Sequence, residues 1–144
     1  MQSLIEAAWA EEGVPALLPP PRELQILVVE DDEADAYLIQ RALAASGRCN
    51  VLRAVDGVEA LRLIDQGVKP DLAIIDLQMP RKNGFSLLVE LGCAGCSFPT
   101  VVLTSSRARA DWVRSKVRGA GEVLTKPDNL EELRDLLDEA IAGL

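Results

Sequence analysis

Four groups of polar residues stand out because each follows an apolar run. Glu30-Asp31-Asp32-Glu33, with Asp35 close behind, follows Ile26-Leu27-Val28-Val29. Asp76 follows Leu72-Ala73-Ile74-Ile75, Thr104-Ser105-Ser106 follows Val101-Val102-Leu103, and Lys126-Pro127 follows Glu122-Val123-Leu124-Thr125. Acids in the first turn of a helix are favoured by the macrodipole, by about 0.3–1 kcal/mol each, which accounts for Asp32, Glu33 and Asp35. It accounts less well for Glu30 and Asp31, like charges side by side where a buried strand ends. Asp76, at the end of an apolar run, is costly unless paired. Two or three carboxylates form a hard, oxygen-only site suited to Mg²⁺, which keeps waters and is completed by phosphate oxygens. A hydroxyl and an ammonium facing the same point hold the other oxygens of a phosphoryl group, and phosphoryl transfer needs little beyond such positioning and charge neutralisation. An Asp carboxylate is a competent acceptor and forms an acyl phosphate.

Composition narrows the chemistry further. The 144 residues contain no histidine, only five aromatics (Trp9, Tyr37, Phe85, Phe98, Trp112) and a formal net charge of −8. Without histidine there is no Ser-His-Asp or Cys-His site, no His-ligated metal and no phosphohistidine within the chain. A phosphoryl donor must come from outside. An acidic chain with few rings also lacks the basic groove and stacking platform of a single-strand nucleic-acid binder. Three cysteines make no even disulfide set. The N-terminus has no basic region resembling a signal peptide, and no apolar run approaches the roughly 20 residues that span a bilayer. The expected location is the cytoplasm, with neither nucleic acid nor membrane as partner.

These polar groups need a scaffold that brings strand ends together. The apolar runs lack period-2 alternation, as strands buried on both faces do; weaker runs lie at Val51 through Val55 and at Glu122 through Thr125. Between them Leu38, Ile39, Ala42 and Leu43 share one helical stripe, as do Leu130, Leu133, Leu137, Ala140 and Ile141. Gly47, Gly67 and Gly119 (or Gly121) close helical segments, and Asp56 and Asp128 are placed to cap helix starts. The pattern predicts an α/β fold of five β–α units, a doubly wound parallel sheet with helices on both faces. Such sheets bind ligands at the carboxyl ends of their strands. With strand order 2-1-3-4-5, all four groups converge on one crevice. Residues 1–22 stand apart as an N-terminal arm whose Leu4, Ile5, Ala8 and Trp9 share a helical face, ending in Pro19-Pro20-Pro21, a semi-rigid connector; residues 23–144 form the domain.

With these pieces in hand, the sequence resembles the receiver domains of two-component response regulators over residues 24 to about 143. The matching segments are Val28-Val-Glu-Asp-Asp32, Asp76-Leu-Gln-Met-Pro80 with Gly84, Val101-Val-Leu-Thr-Ser105 and Leu124-Thr-Lys-Pro127. The resemblance implies a flavodoxin-like (βα)₅ fold with Asp76 as phosphoacceptor. Asp31 would ligate Mg²⁺ directly, Glu30 directly or through water, and the backbone carbonyl of Gln78 would be a further ligand. Thr104, with Ser105 beside it, would bind a phosphoryl oxygen, Lys126 would pair with the phosphoryl group, and the Lys126–Pro127 bond would be cis. Asp-Leu-x-x-Pro-Arg-Lys-x-Gly and Val-Leu-Thr-Ser-Ser further resemble stand-alone regulators of bacterial phytochrome kinases. The implied partners are a sensor histidine kinase, a histidine phosphotransfer protein, and a second copy through the fourth helix, fifth strand and fifth helix or through the arm. The expected molecule is no enzyme beyond self-phosphorylation from small donors and autodephosphorylation, and carries no output domain.

Some residues fall outside this pattern. Receivers carry an aromatic near the middle of the fifth strand, where this chain has Val123 or Glu122. Cys93-Ala-Gly-Cys96 follows a helix with no nearby base, so it reads as an incidental loop feature rather than a redox motif, and with Cys49 it is one ligand short of a zinc site. Trp112 is either partly packed or an interface anchor. Arg107, Arg109, Arg114, Lys116 and Arg118 read as a solvated face, not a DNA-binding element. Two alternatives remain: a Mg²⁺-dependent phosphatase of haloacid-dehalogenase type, which wants an acid where Gln78 stands, and a pseudo-receiver that binds partners without phosphorylation.

Overall fold

The computed structural model describes residues 22–79, 83–105 and 107–144. Strand and helix alternate within them: β1 (Leu24–Val29), α1 (Glu33–Ala44), β2 (Cys49–Ala54), α2 (Gly57–Asp65), β3 (Leu72–Ile75), α3 (Gly84–Cys93), β4 (Thr100–Thr104), α4 (Arg109–Val117), β5 (Glu122–Thr125) and α5 (Leu130–Ile141). Neighbouring strands are parallel in the order β2-β1-β3-β4-β5. This is the doubly wound sheet expected from the sequence. The N-terminal arm, with its Leu4/Trp9 face, lies outside the described residues except for Arg22. No helix among the described residues is long and apolar enough to cross a membrane.

The central strands β1, β3 and β4 are buried on both faces, which is why their sequences do not alternate. Ile26 and Val28 of β1, Leu72 and Ile74 of β3 and Val101 and Leu103 of β4 pack against Ile39, Ala42 and Leu43 of α1 and Leu133, Leu137 and Ile141 of α5. The intervening residues Leu27, Val29, Ala73, Ile75 and Val102 point the other way, onto Ala60 of α2 and Phe85, Leu87, Leu88 and Leu91 of α3. Each strand therefore contributes to two cores, with successive side chains on opposite faces. In α1 the buried stripe includes Ala36 in place of Leu38, which is exposed.

Helix starts are fixed locally. The side chains of Asp32, Asp56, Asn83 and Asn129 accept from backbone N–H groups three residues on, at 2.8–3.0 Å. Asp56 caps α2 as expected, whereas the cap of α5 is Asn129 and not Asp128, because Asn129 is the extended residue immediately before the first helical turn. After α4, Gly119 takes the left-handed turn (φ 106°). Gly121 instead packs against β4, where a Cβ would lie 2.9 Å from the Thr100 carbonyl oxygen.

Candidate functional site at the strand ends

The ladders of β1, β3 and β5 run one residue past the strand ends and thereby place the site. The Glu30 N–H donates to the Ala54 carbonyl (3.0 Å), Asp76 N–H to Val29 (3.0 Å) and Lys126 N–H to Thr104 (2.7 Å). β1 and β3 are neighbours on either side of the topological switch, with Val29 opposite Ile75. Glu30 and Asp76 thus emerge side by side and buried, 2% and 7% exposed. With the exposed Asp31, each offers an oxygen within 4.8 Å of the others.

Among the described residues, a single ammonium serves this cluster. Lys126 Nζ lies 2.8 Å from Glu30 Oε1, 2.8 Å from Asp35 Oδ2 and 3.7 Å from Asp76 Oδ1. Its charge does not offset the crowding. Burial pushes the Glu30 carboxyl up to about 7, helped by the charge of Asp76 and opposed by the Lys126 hydrogen bond. Burial likewise raises Asp76, against the charge of Lys126 and the N–H of Gln78. Burial alone would lower Lys126, but the hydrogen bonds it donates to Asp35 and Glu30 and the charge of Asp76 hold it above the usual lysine range. An oxygen-only set of three carboxylates with surplus negative charge, open at Asp31, fits a hard divalent cation such as Mg²⁺. It offers no nitrogen or sulfur to a softer metal.

Neighbouring residues hold the geometry. Arg53 of β2 donates from Nε to the Glu30 carbonyl (3.0 Å) and from Nη2 to the Asp31 carbonyl (3.1 Å), while Nη1 pairs with Glu33 (2.8 Å). One guanidinium therefore pins the whole β1–α1 turn. Beyond Asp76, Gly84 N–H donates to the Leu77 carbonyl (3.1 Å). A Cβ at Gly84 would fall 2.5 Å from the Asp76 carbonyl oxygen, so glycine is what lets α3 start against the segment that follows β3.

Thr104 is buried at the end of β4 and Ser105 is exposed beside it, while Ser106 lies outside the described residues. Thr104 lines a cleft of about 270 Å³ with Arg107, Ala108, Arg109, Trp112, Val123 and Thr125. Of the two candidates in β5, Val123 faces this cleft and Glu122 is exposed. Trp112 is 47% exposed, and Gln78 is exposed next to the site. Of the basic residues on α4, Arg114 lies 4.0 Å above the Phe85 ring and Lys116 donates to the Gly121 carbonyl (2.8 Å). Cys49, Cys93 and Cys96 are free thiols.

The expectation of a cis Lys126–Pro127 bond is corrected: no peptide bond among the described residues is cis. Trans is the favoured X–Pro form by about 0.5–1 kcal/mol, and the trans chain already delivers Lys126 to its carboxylates. Two further residues join the site that the strand-end pattern alone does not assign to it. Asp35 is accounted for in sequence by the helix dipole, yet it holds Lys126. Arg53 is an arginine at position 53 of a strand between Leu52 and Ala54, and its charge was the available signal.

Comparison with known proteins agrees with this geometry. The family model for the response regulator receiver domain matches residues 26–138. The Regulator of RpoS of Escherichia coli (strain K12) is 38% identical over 114 residues, covering 78% of this chain and 33% of the relative. This chain thus spans about a third of that protein's length. Among solved structures, the phosphorylated cyanobacterial phytochrome response regulator RcpA superposes with a TM-score of 0.75 at 31% identity, covering 82% of this chain and 91% of RcpA. The Mn²⁺-bound form of response regulator Rcp1 gives 0.72 at 30% identity, over 82% of this chain and 93% of that one. The fold and the acidic strand-end site define a receiver domain. The chain belongs to the response-regulator receiver family, the phosphoacceptor modules of two-component signalling, which as a class engage sensor histidine kinases and phosphotransfer proteins. Nothing supports a haloacid-dehalogenase phosphatase.

Proposed function

We propose that this receiver accepts a phosphoryl group on Asp76 from the phosphohistidine of a sensor kinase, with Mg²⁺ as cofactor. The observation that carries this reading is the meeting of Glu30, Asp31 and Asp76 within 4.8 Å, beside the Lys126 ammonium. An Asp76 carboxylate oxygen attacks phosphorus, the P–N bond of the donor breaks, and its electron pair returns to the imidazole nitrogen. Glu30, Asp31, Asp76 and the Gln78 carbonyl would hold the ion, which supplies charge neutralisation at the phosphoryl oxygens. Lys126 and the Thr104 hydroxyl take the remaining oxygens, with Ser105 at the rim. Rcp1 has been described with Mn²⁺ bound, which supports a divalent ion for a site of this kind.

The donor we assign is a bacteriophytochrome-type kinase, on the likeness to RcpA, and the setting is the cytoplasm. Output runs through the α4-β5-α5 face, where Trp112 is an exposed anchor, by dimerisation or by contact with a phosphotransfer protein. Residues 23–144 act as the receiver and residues 1–22 as an arm. The test is incubation with acetyl phosphate and Mg²⁺ followed by intact mass. We expect the added mass of one phosphoryl group, lost with chelator and absent in Asp76→Ala. An unlabelled wild type, as a pseudo-receiver would give, or label that survives Asp76→Ala, overturns the reading.

A further inference from the structure

Lys126 faces two carboxylates that a metal ion would claim and one that it would not. Glu30 and Asp76 belong to the cluster of oxygens that lie within 4.8 Å of one another, together with Asp31; Asp35 does not. Yet Asp35 Oδ2 is as close to the ammonium as Glu30 Oε1, 2.8 Å in both cases. The backbone of Asp35 is fixed in the first turn of α1, where its N–H donates to the capping Asp32 side chain at 2.9 Å. The far oxygen of Glu30 is engaged as well, accepting the Asp32 N–H at 3.3 Å.

When a dication takes the cluster, an ammonium sharing the same Glu30 carboxylate would be a like charge a few ångströms away, and that repulsion is strong in a buried site. The lysine must loosen its hold on Glu30. Without another carboxylate it would settle on Asp76, the group that has to stay accessible to phosphorus. Asp35 supplies the other seat. Being 42% exposed at its side chain, it also loses less hydration by taking the charge than a buried acid would.

We propose that Asp35 is a positioning residue for the phosphoacceptor site, holding the Lys126 ammonium off Asp76 and freeing Glu30 for the metal. The inference rests on the proposed Mg²⁺ site and acts through the lysine. That route gives it a signature, because the effect of Asp35 disappears when the lysine is absent.

The experiment is a double-mutant cycle in Mg²⁺ affinity, measured calorimetrically on the full chain as wild type, Asp35→Asn, Lys126→Met and the double variant. Asp35→Asn is expected to weaken Mg²⁺ binding by roughly three- to tenfold, within the coupling range of contacting residues, and to change it little in the Lys126→Met background. Unchanged affinity in Asp35→Asn overturns the inference. So does the same loss in both backgrounds, the pattern of a distant charge or of altered folding. Should Asp35→Asn misfold, Asp35→Ser, which suits the first helical turn, carries the same comparison. A wild type that binds no Mg²⁺ also overturns the inference, whereas an Asp76 left unlabelled by acetyl phosphate overturns the phosphoacceptor reading, so the two failures fall in separate assays.

Discussion

The two ends of the sheet carry similar charges in opposite states of satisfaction. At the end where β1 and β3 begin, Asp71 accepts both guanidinium nitrogens of Arg22 (2.8 and 3.0 Å) and the Gln25 N–H (2.8 Å). The Arg22 hydrogen bond, with that of Gln25, holds its carboxyl below the ordinary range. At the other end Glu30, Asp35 and Asp76 share one ammonium, and burial lifts Glu30 and Asp76 above theirs. The difference is the ratio of donors to acceptors together with burial. One carboxylate with three donors in contact with water is a clasp. Several carboxylates around one ammonium, two of them buried, form a set whose charges the protein's own cation does not balance, the kind of perturbed set that marks a functional site.

That contrast can be broken by mutation, most forcefully at Lys126. In chelator, Lys126→Met leaves buried carboxylates without their ammonium and is expected to lower stability by about 2 kcal/mol, toward the upper part of the usual single-substitution range. Urea denaturation measures it; an unchanged midpoint would mean that the cluster is not strained. Glu30→Gln is expected to act with the opposite sign. It keeps an acceptor for Lys126 while removing a buried charge, for a gain of about 1 kcal/mol in chelator, and it weakens Mg²⁺ binding. A loss of stability would show that Glu30 is satisfied as fully as Asp71.

The sequence made much of this arrangement legible, for a physical reason. β1, β3 and β4 are covered on both faces, and a strand buried on both faces must be a continuous apolar run, so their ends could be read and the residues just beyond them recognised. β2 is an edge strand with alternating burial, and its run was correspondingly faint. Glu30, Asp31, Asp76 and Lys126 could be placed together because topology alone brings strand ends to one crevice. Asp35 and Arg53 could not, since their roles depend on contacts 91 and 22–23 residues away, and a helix dipole or a polar edge strand accounts for each locally. The proline isomer and the choice between Asp128 and Asn129 as cap are decided by backbone geometry, which composition does not carry.

A smaller effect separates the two ends by pH. Glu30 rises from 4.5 to about 7, so the metal-free folded chain binds a proton that the unfolded chain has released. That contribution to stability is fully present below 4.5 and is lost as pH rises through about 7. The chelated wild type is therefore expected to lose urea midpoint across this window, more steeply than Glu30→Gln, and saturating Mg²⁺ should flatten the slope. Equal slopes in the two proteins would mean that another group sets it. Asp71 runs the other way: its carboxyl is lowered, so its contribution is present above 3.8 and is lost as pH falls below it.

The smallest effect belongs to the Asp71 clasp itself. Arg22 and Asp71 meet in water, where an ion pair is weakened by solvent and salt and by the entropy of ordering two side chains. The part of the clasp that resists screening is the Gln25 N–H, a backbone donor at the second residue of β1. Asp71→Asn keeps an acceptor for that N–H and removes only the charge. The expected outcome is a slight drop in thermal midpoint that vanishes in high salt, with Mg²⁺ affinity and labelling of Asp76 unchanged. A drop that persists in high salt would place the Arg22 pairing among the interactions that fold the sheet, and a change in labelling would couple the two ends through β1 or β3.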